Sequence, residues 1–220
     1  KSEQTDLLQS LFGRNGESPM PVIAAASPTQ CFDAAYDACK MALEHMTPVV
    51  LLTDAFVANG SGAWKLPDLA SYPAIKPPYV TPEMKDNYTP YQRNPETGVR
   101  YWAIPGQEGY THILGGLEKD SKTGAISTAP DNHDLMCRLR AEKVERIPVP
   151  DVKVEGCADD ADLLIVGFGG TYGHLYSAMQ EMNQSGKKVA LAHFTHLNPL
   201  PKNTCLLYTS PSPRDATLSR

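Results

Sequence analysis

Few stretches of this 220-residue chain carry residue types at spacings that suit chemistry. Five cysteines (Cys31, Cys39, Cys137, Cys157, Cys205) are scattered, odd in number and free of any CxxC pair. That arithmetic speaks against a disulfide framework, a zinc centre or an iron–sulfur cluster built within the chain, and for reduced thiols. The loop Gly13-Arg14-Asn15-Gly16-Glu17 has two readings: a helix C-cap and turn, or a loop presenting Arg14 to an anion. A second candidate loop, Asn59-Gly60-Ser61-Gly62, follows an apolar run. A third, Gly167 to Gly173, invites comparison with a dinucleotide fingerprint. It reads GxGxxxG rather than GxGxxG, and the strand that follows ends in His193 and Thr195 where an acidic ribose ligand belongs. The helix start at Thr171-Tyr172-Gly173 remains a place for an anion, beside the plainer reading of a structural turn. His133 falls in the first turn of a helix, where a surface or capping role suits it.

The elements that must position these loops follow from hydrophobic patterning. Met20 to Ala25 is a short apolar run suited to a buried strand. Ser27-Pro28-Thr29-Gln30 reads as a helix start, with Ser27 and Gln30 as a capping box and Pro28 in the first turn. Phe32, Ala35, Tyr36, Cys39, Leu43 and Met46 recur by threes and fours, and the pattern stops at Thr47-Pro48. Val49 to Thr53 is a second strand. Strand, helix and strand make a βαβ unit with parallel strands, so the ligand-facing edge is Thr53-Asp54 and the loop Asn59 to Gly62. A second strand–turn–helix–strand run begins at Ala161, with its helix stopping at Gly186 and its last strand over Val189 to Phe194.

Between these units the chain changes character. Most of the 19 prolines lie between Pro67 and Pro150, mixed with tyrosines and Trp102. So long a stretch without periodicity, yet rich in aromatics, predicts an extended arm lying across another surface, of this chain or of a partner. A weak hairpin is expected between Trp102 and Thr128, with turns at Gly115-Gly116 and Asp120 to Gly124. The pattern predicts helices over Glu3 to Phe12, with Leu7, Leu8 and Leu11 on one side, and from Pro130 through Arg146, with Leu135, Met136, Leu139 and Val144 inward. The net charge of −5 and a pI near 5.7 give no electrostatic reason for nucleic-acid binding. No apolar run reaches membrane-spanning length. The Ser-, Pro- and Arg-rich tail from Cys205 to Arg220 has no period and is expected to be a disordered, non-native extension.

Several phrases together resemble one family. KSEQTDLL, GRNGE, DAAYDACKMALEHMTPVVLLTDAFVANGSGAWKLP, the IPG and GGLEKD of the arm, DNHDLMCRLRAEKV, and LLIVGFGGTYGHLYSAMQEM with NPLP occur in the order of the alpha subunit of 2-oxoacid:ferredoxin oxidoreductases, the 2-oxoglutarate type above all. The resemblance covers about residues 1–204. It implies an α/β fold: the C-terminal part of a pyrimidine-type thiamine-fold domain over 1–66, a connecting arm over 67–158, and the start of an incomplete transketolase C-terminal-like domain over 159–204. It further implies a cytoplasmic enzyme that oxidatively decarboxylates a 2-oxoacid with thiamine diphosphate and Mg, passes the acyl group to coenzyme A and reduces ferredoxin. A beta subunit would carry the diphosphate-binding half and the iron–sulfur cluster, with gamma and delta subunits or domains as further partners. The family's Tyr-Pro-Ile-Thr motif and its carboxylate-gripping arginine motif are expected upstream of Lys1. No catalytic residue and no metal ligand therefore carries over; Arg14, Asn15, Asn59 and Gly60 are the cleft-adjacent candidates for cofactor binding. The alternative from another class is a noncatalytic nucleotide-binding or regulatory α/β module, motivated by the glycine turn at Gly167 to Gly173.

Overall fold

The computed structural model of the chain describes residues 5–209. Two three-stranded sheets form its frame, each grown from one of the predicted units. In the first, β1 (Val22–Ala24) and β2 (Val50–Leu52) are parallel, with Ile23 opposite Leu51, and helix α2 (Cys31–His45) makes the crossover. Pro28 opens a 3-10 turn that leads into α2, but the capping box is not made. Ser27 Oγ lies 3.0 Å from Thr29 Oγ1 instead of accepting from the helix backbone. The helix ends one turn before Pro48, through Met46 in the left-handed region at φ 47°. Ile23, Met41 and Ile147 form the core between sheet and helices, with Leu51 and Val49 packed beside them.

In the second sheet, β4 (Leu163–Phe168) and β5 (Val189–Phe194) are parallel through helix α5 (Tyr172–Gln184), with Gly186 at φ +86° just past its end. An added strand, β3 (Val154–Gly156), lies antiparallel on the far side of β5. Central β5 is buried almost throughout, whereas β4 leaves Leu163 and Val166 each 48% exposed. Strand β4 is an edge among the described residues, so its apolar run is half covered rather than buried. Immediately after β5, β6 (His196–Asn198) returns to the first sheet and pairs antiparallel with β1. Asn198 Nδ2 seals that return by donating to the Met20 carbonyl at 2.6 Å. The chain therefore crosses between sheets within one residue.

Helix α1 (Thr5–Phe12) covers the described part of the first predicted helix, and α4 (Pro130–Glu145) the long one. Met136 and Val144 of α4 are buried, but Leu135 is exposed, as are Leu8 and Phe12 of α1. The expected inward placing of Leu135 is corrected, since it is 38% exposed, and of the leucines on one side of α1, Leu8 faces outward. Residues 204–209 form a helix, α6 (Thr204–Thr209), whose Leu207 packs on the cluster of Val152, Ala192 and Phe194. The first part of the expected disordered tail is thus ordered, and residues 210–220 lie outside the described residues.

Before α4 the arm contains no long element. It runs through two 3-10 turns and isolated bridges, Tyr79 to Trp102, Arg93 to Arg100 and Lys119 to Ile126. The expected hairpin shrinks to the Lys119–Ile126 turn, where Asp120 Oδ1 accepts from the N–H groups of Lys122 and Thr123 and Gly124 takes φ +75°. The arm lies on this chain's own helices. Tyr36 donates to the Pro73 carbonyl, Tyr72 to Asp33, and Lys76 N–H to Glu44 at 2.9 Å, all on α2. On α4, Asn132 exchanges hydrogen bonds with Lys119 and Ser121, and Arg146 donates to the Pro95 carbonyl at 3.1 Å. Lys143 reaches back from α4 to the Met46 carbonyl at 2.8 Å, under the arm's Gly98.

Burial, with Arg93 and Arg100 close by, holds Lys143 down at about 8. A lysine whose native value lies below its unfolded one, ~10.4, binds fewer protons when folded. Its cost to stability is full below about pH 8 and fades as pH rises toward about 10. Comparing urea midpoints of the wild type and Lys143→Met across that range should therefore show the difference moving in favour of the wild type as pH rises. A pH-independent difference would show that Lys143 keeps its ordinary affinity for protons.

Candidate functional site

Ligand sites of parallel sheets form beyond the carboxyl ends of the strands. Here two such ends meet. Strand β2 leads through Thr53 to Asp54, which starts helix α3 (Ala55–Asn59), and β4 leads into the turn Gly169–Thr171 that starts α5. Asp54 joins them. Its Oδ1 accepts from Val57 N–H at 2.8 Å, capping α3, and its Oδ2 accepts from Gly170 N–H at 3.1 Å. One carboxylate thereby satisfies free backbone donors at two helix starts, where negative charge is favoured. Phe56 of α3 and His174 of α5 pack beside it, with ring centroids 5.8 Å apart.

The turn's geometry is demanding. Gly169 has φ +63°, which a side chain would strain. A Cβ on Gly170 would lie 2.2 Å from Asp54 Oδ2, so glycine is what lets the carboxylate approach. Farther along, burial pushes the His193 imidazole at the end of β5 below its ordinary value, and its Nε2 has no partner among the described residues. Tyr172 stacks edge-on to it at 5.0 Å and donates to Glu155 at 3.2 Å. The anion expected at this helix start is thus the chain's own Asp54.

The four sequence candidates fall in two separate places. Arg14 spends its guanidinium on main-chain carbonyls: Nε and Nη2 donate to Ser18 at 3.1 and 2.7 Å, Nη2 to Leu11 at 3.3 Å, and Nη1 to Ser10. It ties off the end of α1, and Asn15 is exposed on the same turn. Asn59 Nδ2 donates to Ala55 at 2.9 Å, and Gly60 N–H to Phe56 at 2.7 Å, closing α3. Gly60 lies against Pro28 and Gly62 against Thr29, so this loop packs on the approach to α2. No hydrogen bond joins one pair to the other among the described residues.

Sequence reasoning placed Asp54 at the ligand-facing edge but gave it no role, and took Gly170 only as part of a turn. A lone Asp before a short helix signals a cap; its second partner, 116 residues away, leaves no local signal. Thiamine diphosphate needs hard oxygen ligands for its Mg2+ and free donors for its phosphates. The junction offers neither: Asp54 and the Gly170 N–H are spent on each other. These residues do not fit a magnesium–diphosphate centre.

The pyruvate flavodoxin/ferredoxin oxidoreductase family, thiamine diphosphate-binding, matches over residues 1–128, more than half of the chain and through most of the arm. The chain belongs to that family. Among relatives, this family member is 47% identical over 203 residues to the 2-oxoglutarate oxidoreductase subunit KorA of Mycobacterium tuberculosis, covering 92% of this chain and 31% of that subunit. It is 29% identical over 208 residues to the 2-oxoacid:ferredoxin oxidoreductase 1 alpha subunit of Aeropyrum pernix, covering 92% of this chain and 32% of that one. The 2-oxoglutarate:ferredoxin oxidoreductase of Magnetococcus marinus, solved with 2-oxoglutarate, coenzyme A and succinyl-CoA bound, superposes with a TM-score of 0.80 at 28% identity. That match covers 90% of this chain and 34% of the solved one. The chain thus spans about a third of the length of these relatives. No described helix is long and apolar enough to cross a membrane.

The junction generates a direct test. Gly170→Ala is expected to cost about 1–3 kcal/mol in urea unfolding, because its Cβ must displace the Asp54 carboxylate. Asp54→Ala alone should cost about 0.5–2 kcal/mol as a lost cap. The double variant should cost clearly less than the sum, since removing the carboxylate removes the clash. Additive costs would show that the two residues do not meet.

Proposed function

We propose that this chain is a segment of the alpha subunit of a 2-oxoglutarate:ferredoxin oxidoreductase. The assembled enzyme would decarboxylate the 2-oxoacid on thiamine diphosphate, transfer the acyl group to coenzyme A and pass electrons to ferredoxin. The observation that supports the reading is the 47% identity to a 2-oxoglutarate oxidoreductase subunit, sustained over 203 residues. In this reading the first sheet belongs to the pyrimidine-side thiamine domain, and the second begins a transketolase C-terminal-like domain. The Asp54–Gly170 contact then sets the angle between the two and so the mouth of the cleft.

The chemistry of the described residues bears on the partners. The spent donors at the junction agree with a beta subunit that holds the diphosphate and its Mg2+. The scattered free cysteines agree with an iron–sulfur cluster housed on that subunit. Gamma and delta subunits or domains complete the assembly, and its place is the cytoplasm. Asn59 and Gly60, next to the Asp54 cap, are the residues of this chain proposed to border the cleft. Arg14 and Asn15 shape the loop that enters β1.

The full alpha subunit carrying this segment, co-purified with its beta subunit, should reduce methyl viologen only when both 2-oxoglutarate and coenzyme A are present. The 220-residue chain alone should reduce none. Turnover by the isolated chain, or an assembly indifferent to coenzyme A, would overturn the reading.

A further inference from the structure

We propose that the pocket between α2, β6 and the segment leaving α4 binds the ammonium group of a small primary amine, held by Asp37 and His196. The pocket has a volume of about 220 Å3. Two of its lining residues are histidines more than nine-tenths buried, His196 at 7% exposed and His45 at 9%. Met41, Ile147, Pro148 and Pro150 give it apolar walls. Pairing with β1 fixes His196 opposite Ile23, and the last turn of α2 fixes His45.

The polar groups left open in this pocket are acceptors. His196 Nδ1 lies 3.1 Å from Thr195 Oγ1. In the tautomer that donates Nδ1–H to that hydroxyl, Nε2 presents a lone pair, and it has no partner among the described residues. Burial pushes the imidazole below its ordinary value, which favours the free base and so the acceptor. Asp37 is near enough to act on the charge of His196, and its carboxylate accepts no hydrogen bond among the described residues. Partial burial pushes that carboxyl up, against the pull of His196 and Lys40, and Asp33 adds to the shift. Lys40, the ammonium in the lining, is already used: it pairs with Glu44, whose other oxygen accepts from Lys76 N–H at 2.9 Å.

This balance selects the ligand. The Lys40–Glu44 pair is neutral as a unit, and Asp37 stands unpaired. Burial pushes His45 down against the pull of Glu44, and Lys40 and Lys143 push the same way, so it adds no positive charge. One negative charge and two open acceptors remain. An ammonium satisfies both with charge-assisted hydrogen bonds, whereas a carboxylate or phosphate would meet acceptors and like charge. The alkyl group of the amine then lies on the apolar walls. A neighbouring groove of about 520 Å3 shares Asp37 and Lys40 and adds Asp33 and Asp68 on the approach, which favours entry of a cation.

n-Butylammonium chloride titrated into the full chain just above neutral pH, at constant ionic strength, should give saturable shifts of one histidine ring resonance in NMR spectra. That resonance should be missing in His196→Gln, which assigns it. n-Butanol has the same alkyl chain without the charge and should bind about tenfold more weakly or worse, and sodium butyrate should not bind. Asp37→Asn is nearly isosteric and should keep the far-ultraviolet circular dichroism while weakening butylammonium about tenfold or more. Bound butylammonium should also move the titration of His196 to still lower pH, since one positive charge opposes a second. The absence of saturable shifts, equal binding of n-butanol or butyrate, or an affinity unchanged in Asp37→Asn would overturn the proposal.

Discussion

The carboxylate of Asp54 is the constraint on which the arrangement of this chain rests. It caps the start of helix α3 through Val57 N–H and accepts from the Gly170 N–H in the turn into α5. Hydrogen bonds from backbone N–H groups to an ionised carboxylate are stronger than those to a neutral acceptor. They also have direction, which apolar packing lacks. Together with the direct passage from β5 into β6, whose Thr195 carbonyl accepts from Ala24 N–H, the carboxylate ties the two sheets to each other. The glycine is part of the same interaction, since any side chain there would occupy the carboxylate's place. What distinguishes this junction from an ordinary helix cap is that each oxygen serves a different sheet.

Much of the frame was legible from local pattern. Both strand–helix–strand units, the stop at Gly186 and the helix from Pro130 follow from periodicity and from proline and glycine placement. What pattern missed depends on neighbours distant in sequence. Strand β4 is apolar throughout, yet among the described residues it pairs only with β5 and leaves Leu163 and Val166 half exposed. Leu135 fits the helical stripe but stays 38% exposed. The capping box at Ser27 gave way because Pro28 tightens that turn into a 3-10 helix, and Ser27 bonds Thr29 instead. Arg14 was readable as either anchor or cap; carbonyls at the end of α1 decided for the cap. The family resemblance read from the phrases of the chain agrees with the match over residues 1–128. The roles of Asp54 and Gly170 had no such signature.

The arm shows how a proline-rich segment is held without regular structure. Its backbone groups find partners one at a time: side chains of α2 and α4, short 3-10 turns, and single bridges. Its tyrosines work by geometry as much as by area. Tyr72 meets both Phe32 and Tyr36 edge-on, while its hydroxyl is satisfied by Asp33. Lys119, only 2% exposed, gives its ammonium to the Leu117 carbonyl within the arm itself. Such a segment keeps its path through many specific polar contacts, so its sequence carries no period to read.

The return of β6 to the first sheet bears on how the polypeptide acquires its shape during synthesis. Val22 pairs with Asn198 as well as with Val50. Until Asn198 has been delivered, the edge of β1 away from β2 lacks its partner among the described residues, and a two-stranded pair is marginal in water. Closing so large a loop is entropically costly and slow, and unpaired edges invite intermolecular pairing meanwhile. The pairing of β1 with β6 is therefore made late, and that edge of β1 stays open while the chain between Leu52 and His196 is being made.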